Sequence, residues 1–267
     1  MTTLFSANAC PFAQRTRALL EHLDAPFEMR QVNLENRDPE LLAQSPTGKV
    51  PFLVDGDVRL FESGIINDYR VVRVGSSQHM SPALRAARGV AAPQLVHRQA
   101  LSSQRLASNT HASPTCTTNF RLGPLAEKLG FEGAYALDPE TRALQKLVMR
   151  RWDDVVVPAF YRSMSRGLTP DDLRADLERE LAFMADTVAK LGSGQANLPQ
   201  VHLATHWSRM HWLREFSPIA ELIDEHPTLR GWLDGALALP TVQSTLPDRD
   251  AVIERYRRRF FGEGAKS

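Results

Sequence analysis

The chain of 267 residues holds only two cysteines, Cys10 and Cys116. That is too few for a disulfide framework and suits a reducing compartment. The formal net charge is +1, so the balance points neither to nucleic acid nor to an anionic membrane surface. No stretch stays apolar for the length that a membrane span needs. The opening Met1-Thr2-Thr3 runs directly into a strand-like segment, without the basic flank and apolar core of a secretory leader. Together these absences set the expectation of a soluble, cytoplasmic protein, long enough for one large domain or two smaller ones.

A further absence is local. From Tyr69 to Ala126 there is no Asp or Glu, although the chain carries 31 acidic residues. At ordinary usage of charged residues so long a gap arises about once in a thousand draws. The segment is rich in Ser, Thr, Ala, Gln, His and Arg, has no sustained period and contains Cys116. Its arginines (Arg70, Arg73, Arg85, Arg88, Arg98, Arg105 and Arg121) invite a nucleic-acid reading. They are scattered, however, with no lysine among them and almost no aromatic residue to stack on a base. Composition favours a disordered insert. When residues 70–124 are set aside, Ile65-Ile66-Asn67-Asp68-Tyr69 joins Leu125-Ala126-Glu127-Lys128-Leu129-Gly130. The joined text is one amphipathic helix with Ile65, Ile66, Tyr69, Leu125 and Leu129 on a face and Gly130 as its stop. Natural insertions favour exposed loops, so the segment reads as a late insertion, a retained intron or a gene-model error.

The first seventy residues alternate strand and helix signals. Leu4-Phe5 reads as a strand, Gln14 to His22 as a helix with Ala18, Leu19 and Leu20 inward, Phe27 to Val32 as a strand, and Pro39 to Gln44 as a short helix. Val50 to Val54 and Val58 to Phe61 form a hairpin across Asp55-Gly56-Asp57, and Glu62-Ser63 opens another helix. This β-α-β-α-β-β-α order is that of a thioredoxin-like domain. Cys10 stands where the first strand gives way to the first helix. Free N–H groups and the positive end of the helix dipole favour a thiolate there, and Pro11 suits the first turn. The alternative is a small buried hydrophobe.

From about Pro139 the pattern is helical. Leu144, Leu147, Val148, Trp152, Val155, Val156 and Phe160 form one stripe, and Leu173, Leu177, Leu181 and Met184 another. Asn197 with Gln200 reads as a cap for a helix from Val201 to Phe216. Pro227 to Leu239 forms one more, and Arg255 to Arg259 a basic tail helix whose charge is a solvated end. His202 and His206, one turn apart, could ligate a metal, but no acid or cysteine completes the set at helical spacing, so packing or capping is favoured and no metal is expected. The organisation expected is an α/β thioredoxin-like domain over 1–69 with 125–133, an irregular insert over 70–124, and an all-α domain over 134–260.

Three motifs carry a family likeness: Cys10-Pro11-Phe12-Ala13-Gln14-Arg15-Thr16-Arg17, Gly48-Lys49-Val50-Pro51 and Phe61-Glu62-Ser63. In this order and spacing they resemble the cytosolic glutathione transferases, specifically the cysteine-type omega and lambda-like classes and related dehydroascorbate reductases. The likeness covers residues 1–69 strongly and 125–245 loosely, through helix pattern and Pro240-Thr241-Val242-Gln243. It implies the glutathione-transferase fold, glutathione as co-substrate, and a small electrophile or a glutathionylated protein as partner. It gives Cys10 the role of nucleophile and makes Pro51 the cis-proline, with the Val50 backbone pairing to the cysteinyl part of glutathione. Glu62 and Ser63 would hold the γ-glutamyl end, Lys49 the glycyl carboxylate, and Phe12 would line the site. Each has a plainer alternative: Lys49 a solvated turn residue, Ser63 a helix cap, Phe12 core.

Trp152, Tyr161 and Met164 could border an acceptor pocket, though an apolar stripe is more often core. Ala13 stands where a dithiol enzyme has a second cysteine, so a mixed disulfide must be resolved by a second glutathione. That favours thiol transfer, deglutathionylation or dehydroascorbate-type reduction over protein disulfide exchange. The resemblance, which puts a cysteine rather than a Ser or Tyr hydroxyl at position 10, argues against conventional detoxifying conjugation. A non-catalytic scaffold of the same fold is the competing reading. The likeness also implies a homodimer through the helix after Ser63, within which the insert falls.

Val71 and Val72 need codons that begin GT, and Ser113 to Phe120 permits a pyrimidine-rich tract. Transcripts sequenced across this junction should therefore show a dominant message without the bases for 70–124. A dominant message that contains them ends the intron reading.

Overall fold

The computed structural model describes residues 2–36, 38–78, 138–192 and 197–262. The chain divides into two compact units, one made of Met1–Val71 and Phe131–Ser267, the other of Val72–Gly130. The first unit carries the sheet and the helical half. Most of the expected insert, Cys116, and the spliced continuation at Leu125 and Leu129 lie outside the described residues.

Four strands, β1 (Thr2–Ser6), β2 (Glu28–Gln31), β3 (Phe52–Asp55) and β4 (Val58–Phe61), form a sheet in the order β2-β1-β3-β4. β1 runs parallel to β2 and antiparallel to β3, which pairs antiparallel with β4. The parallel pair needs a crossover, and α1 (Pro11–His22) supplies it. Gly56, at φ +62°, takes the left-handed position in the turn between β3 and β4 that a side chain would resist. The edge strands β2 and β4 are exposed, whereas β1 and β3 are buried and place Phe5 opposite Phe52. Phe5 and Phe52 close a small core with Val32 and Leu41, the last on α2 (Pro39–Gln44).

The helical half comprises α4 (Pro139–Arg151), α5 (Val157–Arg166), α6 (Pro170–Leu191), α7 (Leu198–Trp212), α8 (Ile219–Asp224), α9 (Pro227–Leu237), α10 (Pro240–Gln243) and α11 (Arg249–Phe261). Several helices start on a proline, whose missing N–H would have been unpaired in the first turn. Asp138, Thr169 and Asn197 cap α4, α6 and α7, and the last two complete reciprocal capping boxes with Asp172 and Gln200. α7 is buried on every side and packs on α1, α4 and α9. Ala18 and Leu19 of α1 join its core. The basic tail helix is longer than its charges suggested, because Asp248 caps it at Arg249.

The stripe from Leu144 to Phe160 was expected to lie on one regular helix. Instead a π-helical turn, Trp152–Val156, separates α4 from α5, with the Val157 N–H reaching back to the Trp152 carbonyl. Pro158 has no N–H, so the regular ladder must break near it, and the wider turn absorbs the break.

α3 runs from Ser63 to Gln78 and so continues past Tyr69, where the helix was expected to meet foreign text. The reason is packing. Arg70 is buried and donates to Thr2 Oγ1 (3.0 Å) and Asp55 Oδ2 (3.3 Å), while Thr2 and Tyr69 also donate to Asp55. Arg70 and Asp55 are 6% and 7% exposed. Removing one member of so buried a pair strands the other's charge. Asp55→Ala should therefore lower the unfolding free energy by on the order of 3 kcal/mol, read from the denaturant midpoint.

Candidate functional site

Cys10 is the N-cap of α1, in extended backbone, with Pro11 following and no side chain capping the helix. The Gln14 N–H bonds the Cys10 carbonyl (3.0 Å) and so closes the first turn. The half-buried thiol donates to the Val50 carbonyl at 3.8 Å. Burial pushes the Cys10 thiol up from its ordinary value; the backbone N–H groups of Ala13 and Phe12, then the charges of Arg209 and Arg17, pull it down without overcoming burial.

A cleft of about 170 Å³ is lined by Phe12, Lys49, Val50, Pro51, Glu62 and Ser63, with Thr47 and Phe61; Cys10 is not among its lining residues and meets it through Val50. The six residues assigned to a glutathione site from separate motifs thus line one cleft. The Val50–Pro51 peptide bond is cis. Ser63 is buried at the first position of α3, Lys49 and Glu62 are exposed, and Glu62 has φ +69°. A glutamate in the left-handed region costs about 1–2 kcal/mol. Glu62 and the first residue of α3, Ser63, both line the cleft, so a carboxylate-bearing residue and a helix N-terminus adjoin there.

A second, larger cleft of about 640 Å³ shares Phe12, Glu62 and Ser63 and adds Asn67, Asp153 and His202. Its back is a polar seam between the two halves of the fold. Arg15, wholly buried, grips Asp153 with both terminal nitrogens (3.0 and 2.6 Å) and donates through Nε to the His202 carbonyl (3.0 Å). His202 Nε2 donates to Asp153 (3.0 Å). His206 accepts from Arg15 at Nδ1 (2.9 Å), which leaves its proton on Nε2, where no partner among the described residues meets it. The Phe12 ring stands edge-on to His206 at 4.6 Å and lies under the Arg15 guanidinium at 5.0 Å. Burial alone would raise Asp153, but its hydrogen bond from His202 and the charge of Arg15 hold it far below the usual carboxylate range.

The expected acceptor residues separate. Tyr161 lines neither cleft but packs near the seam behind the larger one, with its ring 6.4 Å from His206 and its hydroxyl 3.3 Å from that of Tyr256. Trp152 and Met164 belong to the main hydrophobic core and line neither cleft, since the stripe they share is the face that α5 and its neighbours bury. Asp153, His202, His206, Arg209 and Tyr256 form the surroundings that the motifs did not reveal. The only prior signal was the His202/His206 spacing, and those imidazoles serve Asp153 and Arg15.

Comparison with known proteins agrees with this geometry. Residues 4–73 match the family described as "Glutathione S-transferase, N-terminal domain". Over 63 residues the chain is 41% identical to "Glutathione S-transferase F10" of Arabidopsis thaliana, a stretch covering 22% of this chain and 29% of that protein. Over 48 residues it is 42% identical to "Probable glutathione S-transferase DHAR1, cytosolic" of Oryza sativa subsp. japonica, covering 18% and 22%. The match thus spans less than a third of these curated relatives' length. The crystal structure of glutathione transferase Omega 1C from Trametes versicolor superposes with TM-score 0.63 over 97% of this chain and 96% of that one, at 19% identity. The likeness in sequence is thus confined to the first domain, while the chain as a whole has the glutathione-transferase fold. Among the described residues no helix is long and apolar enough to cross a membrane.

Burial and then the charge of Arg15 hold the His202 imidazole down to about 4, and burial holds His206 low as well. In the unfolded chain both titrate near an ordinary value of about 6.5. As pH falls, the unfolded state takes up protons first. Stability should therefore decline between about pH 6.5 and about pH 4, by on the order of 3 kcal/mol for His202. Urea unfolding across that window tests this, and His202→Gln, which keeps a donor for Asp153, should flatten the decline.

Proposed function

We propose that the protein is a glutathione-dependent thiol transferase or reductase that uses Cys10 as its single nucleophile. The observation that carries this reading is the Cys10 thiol at the start of α1, hydrogen-bonded to the carbonyl of Val50, which itself lines the cleft together with Phe12, Lys49, Pro51, Glu62 and Ser63. In this reading the Val50 backbone pairs with the cysteinyl part of glutathione, Glu62 and Ser63 take the γ-glutamyl end, and Lys49 takes the glycyl carboxylate.

The Cys10 thiolate attacks the glutathionyl sulfur of a mixed disulfide. A bond forms between Cys10 and that sulfur, and the partner leaves as a thiolate. A second glutathione thiolate then attacks the same glutathionyl sulfur, which releases oxidised glutathione and regenerates the Cys10 thiolate. The partner thiol is reduced, and the one incoming glutathione is oxidised, leaving joined to the glutathionyl group as a disulfide. Ala13 supports this order, because no thiol within the first turn can resolve the intermediate. With a dehydroascorbate-type electrophile the Cys10 sulfur adds to a carbonyl carbon, and a first glutathione thiolate attacks that sulfur and releases the acceptor reduced by two electrons and protonated. A second glutathione resolves the mixed disulfide, so that two glutathiones are oxidised to one disulfide. A cytoplasmic protein that pairs with a second copy through α3 and α4 belongs to the same reading.

One observation favours the scaffold alternative: burial keeps the Cys10 thiol above its ordinary value. A cysteine needs only a few per cent of thiolate to act, so turnover decides between them. Cys10→Ser should bring thioltransferase and dehydroascorbate turnover to background while the protein is still retained on immobilised glutathione. Full activity in Cys10→Ser refutes the assignment, and failure of the native chain to bind glutathione favours the scaffold.

A further inference from the structure

Arg209 is a buried cation without an anion. It sits on α7 with no exposed surface. Nη1 donates to Gln14 Oε1, the Thr205 carbonyl (3.2 Å) and Ser208 Oγ (2.8 Å), and the guanidinium lies 5.5 Å from the Trp212 ring centroid. Nε and Nη2 meet no acceptor. Among the described residues, no carboxylate bonds it.

Arg17 is similar. Its Nη1 donates to Ser6 Oγ (2.6 Å) and the Ala7 carbonyl (3.2 Å), and its Nη2 to the carbonyls of Asn8 (3.5 Å) and Thr245 (3.4 Å). Glu21, further along α1, acts on Arg17 only through charge. Arg15 differs from both, because Asp153 neutralises it.

A charge taken from water without a partner costs several kcal/mol, and most groups escape by losing it. A guanidinium cannot do so near neutral pH, and burial draws Arg209 down only to about 10. The cation persists, and an anion beside it is favoured. Four groups act on its charge: Tyr256 from α11, Tyr161 from α5 and Cys10 from the start of α1 favour the cation, and the like-charged Arg17 opposes it. Burial raises both phenols, so at neutral pH they are hydroxyls. Cys10 is the member of the set that ionises nearest neutrality.

The connection is structural as well. Gln14 accepts from Arg209 and donates to Thr245 Oγ1 (3.3 Å), and the Thr245 carbonyl accepts from Arg17. The two guanidiniums, Gln14 and Thr245 thus form one linked group around the first two turns of the helix that Cys10 begins.

We infer that Arg209, assisted by Arg17, is a positioning residue that supplies the counter-charge for the deprotonated sulfur of Cys10 and so sets how reactive that sulfur is at neutral pH. This rests on the reading of Cys10 as nucleophile. The test follows iodoacetamide alkylation of Cys10 in the full chain from about pH 6 to about pH 10, resolved from Cys116 by peptide mass spectrometry. In Arg209→Met the midpoint should rise by about one pH unit, with alkylation about tenfold slower at neutral pH. Arg209→Lys, which keeps the charge, should recover most of the loss.

An unmoved midpoint in folded Arg209→Met, or equal shifts in the Met and Lys variants, overturns the inference. Gln14→Glu nearly preserves shape and gives Arg209 a carboxylate of its own. It should also raise the midpoint, and an unmoved value there overturns the inference even where Arg209→Met does not fold. The two readings fail separately. Inactive Cys10→Ser with an unmoved Arg209→Met midpoint leaves the transferase without this role for Arg209. Active Cys10→Ser removes the transferase reading, while the alkylation profile still decides what Arg209 does to the thiol.

Discussion

The ion pair between Arg15 and Asp153 is the constraint on which the rest of the site depends. α1 has a modest apolar face in Ala18, Leu19 and Leu20, yet Gln14, Arg15, Thr16 and Arg17 are buried too. A helix with so polar a second face can be enclosed only if its charges find partners inside. The π-helical turn brings Asp153 to Arg15, and α7 presents the His202 carbonyl and two neutral imidazoles to the same guanidinium. The pair therefore ties the sheet-bearing half to the helical half and fixes the azimuth of α1. That azimuth places Cys10 beside Val50 and Phe12 beside both clefts.

The same enclosure sets opposing demands on the thiol. Burial disfavours the thiolate, while the amides of the first turn and two guanidiniums without bound carboxylates favour it. A cysteine at an open helix start would feel only the favourable terms. Here the surroundings that supply positive charge are also those that exclude water, so reactivity depends on their difference. Glu62 shows a related trade: its left-handed backbone costs conformational energy at the residue that lines the smaller cleft just before α3.

Much of the architecture was legible because it rests on local rules. Alternation marked the strands, prolines and caps marked helix starts, and Gly56 marked the hairpin turn. The six cleft residues were legible through three short motifs that lie close to the sheet. Two local readings failed for non-local reasons. A regular helix from Leu144 to Phe160 ignored what Pro158 does to the ladder, and Trp152 and Met164 were drawn toward a pocket although the tertiary core claims them. The helix past Tyr69 continues because Arg70 finds Asp55 across the domain, a partner that no periodicity announces.

The sequence by itself determined the strand and helix order, the place of Cys10 at a helix start, and the absence of a resolving thiol at Ala13. Those depend on residue type and spacing within a few turns, where propensity and hydrogen-bond capacity act directly. Only the tertiary structure decided which charges surround the sulfur. Arg15 and Arg17 stand one and two turns after Cys10 in the sequence, yet Arg15 is spent on Asp153, and it is Arg209, far away along the chain, whose charge acts on the thiol together with that of Arg17. The reason is physical: electrostatic influence depends on distance and burial in the folded protein, and neither follows from separation along the chain.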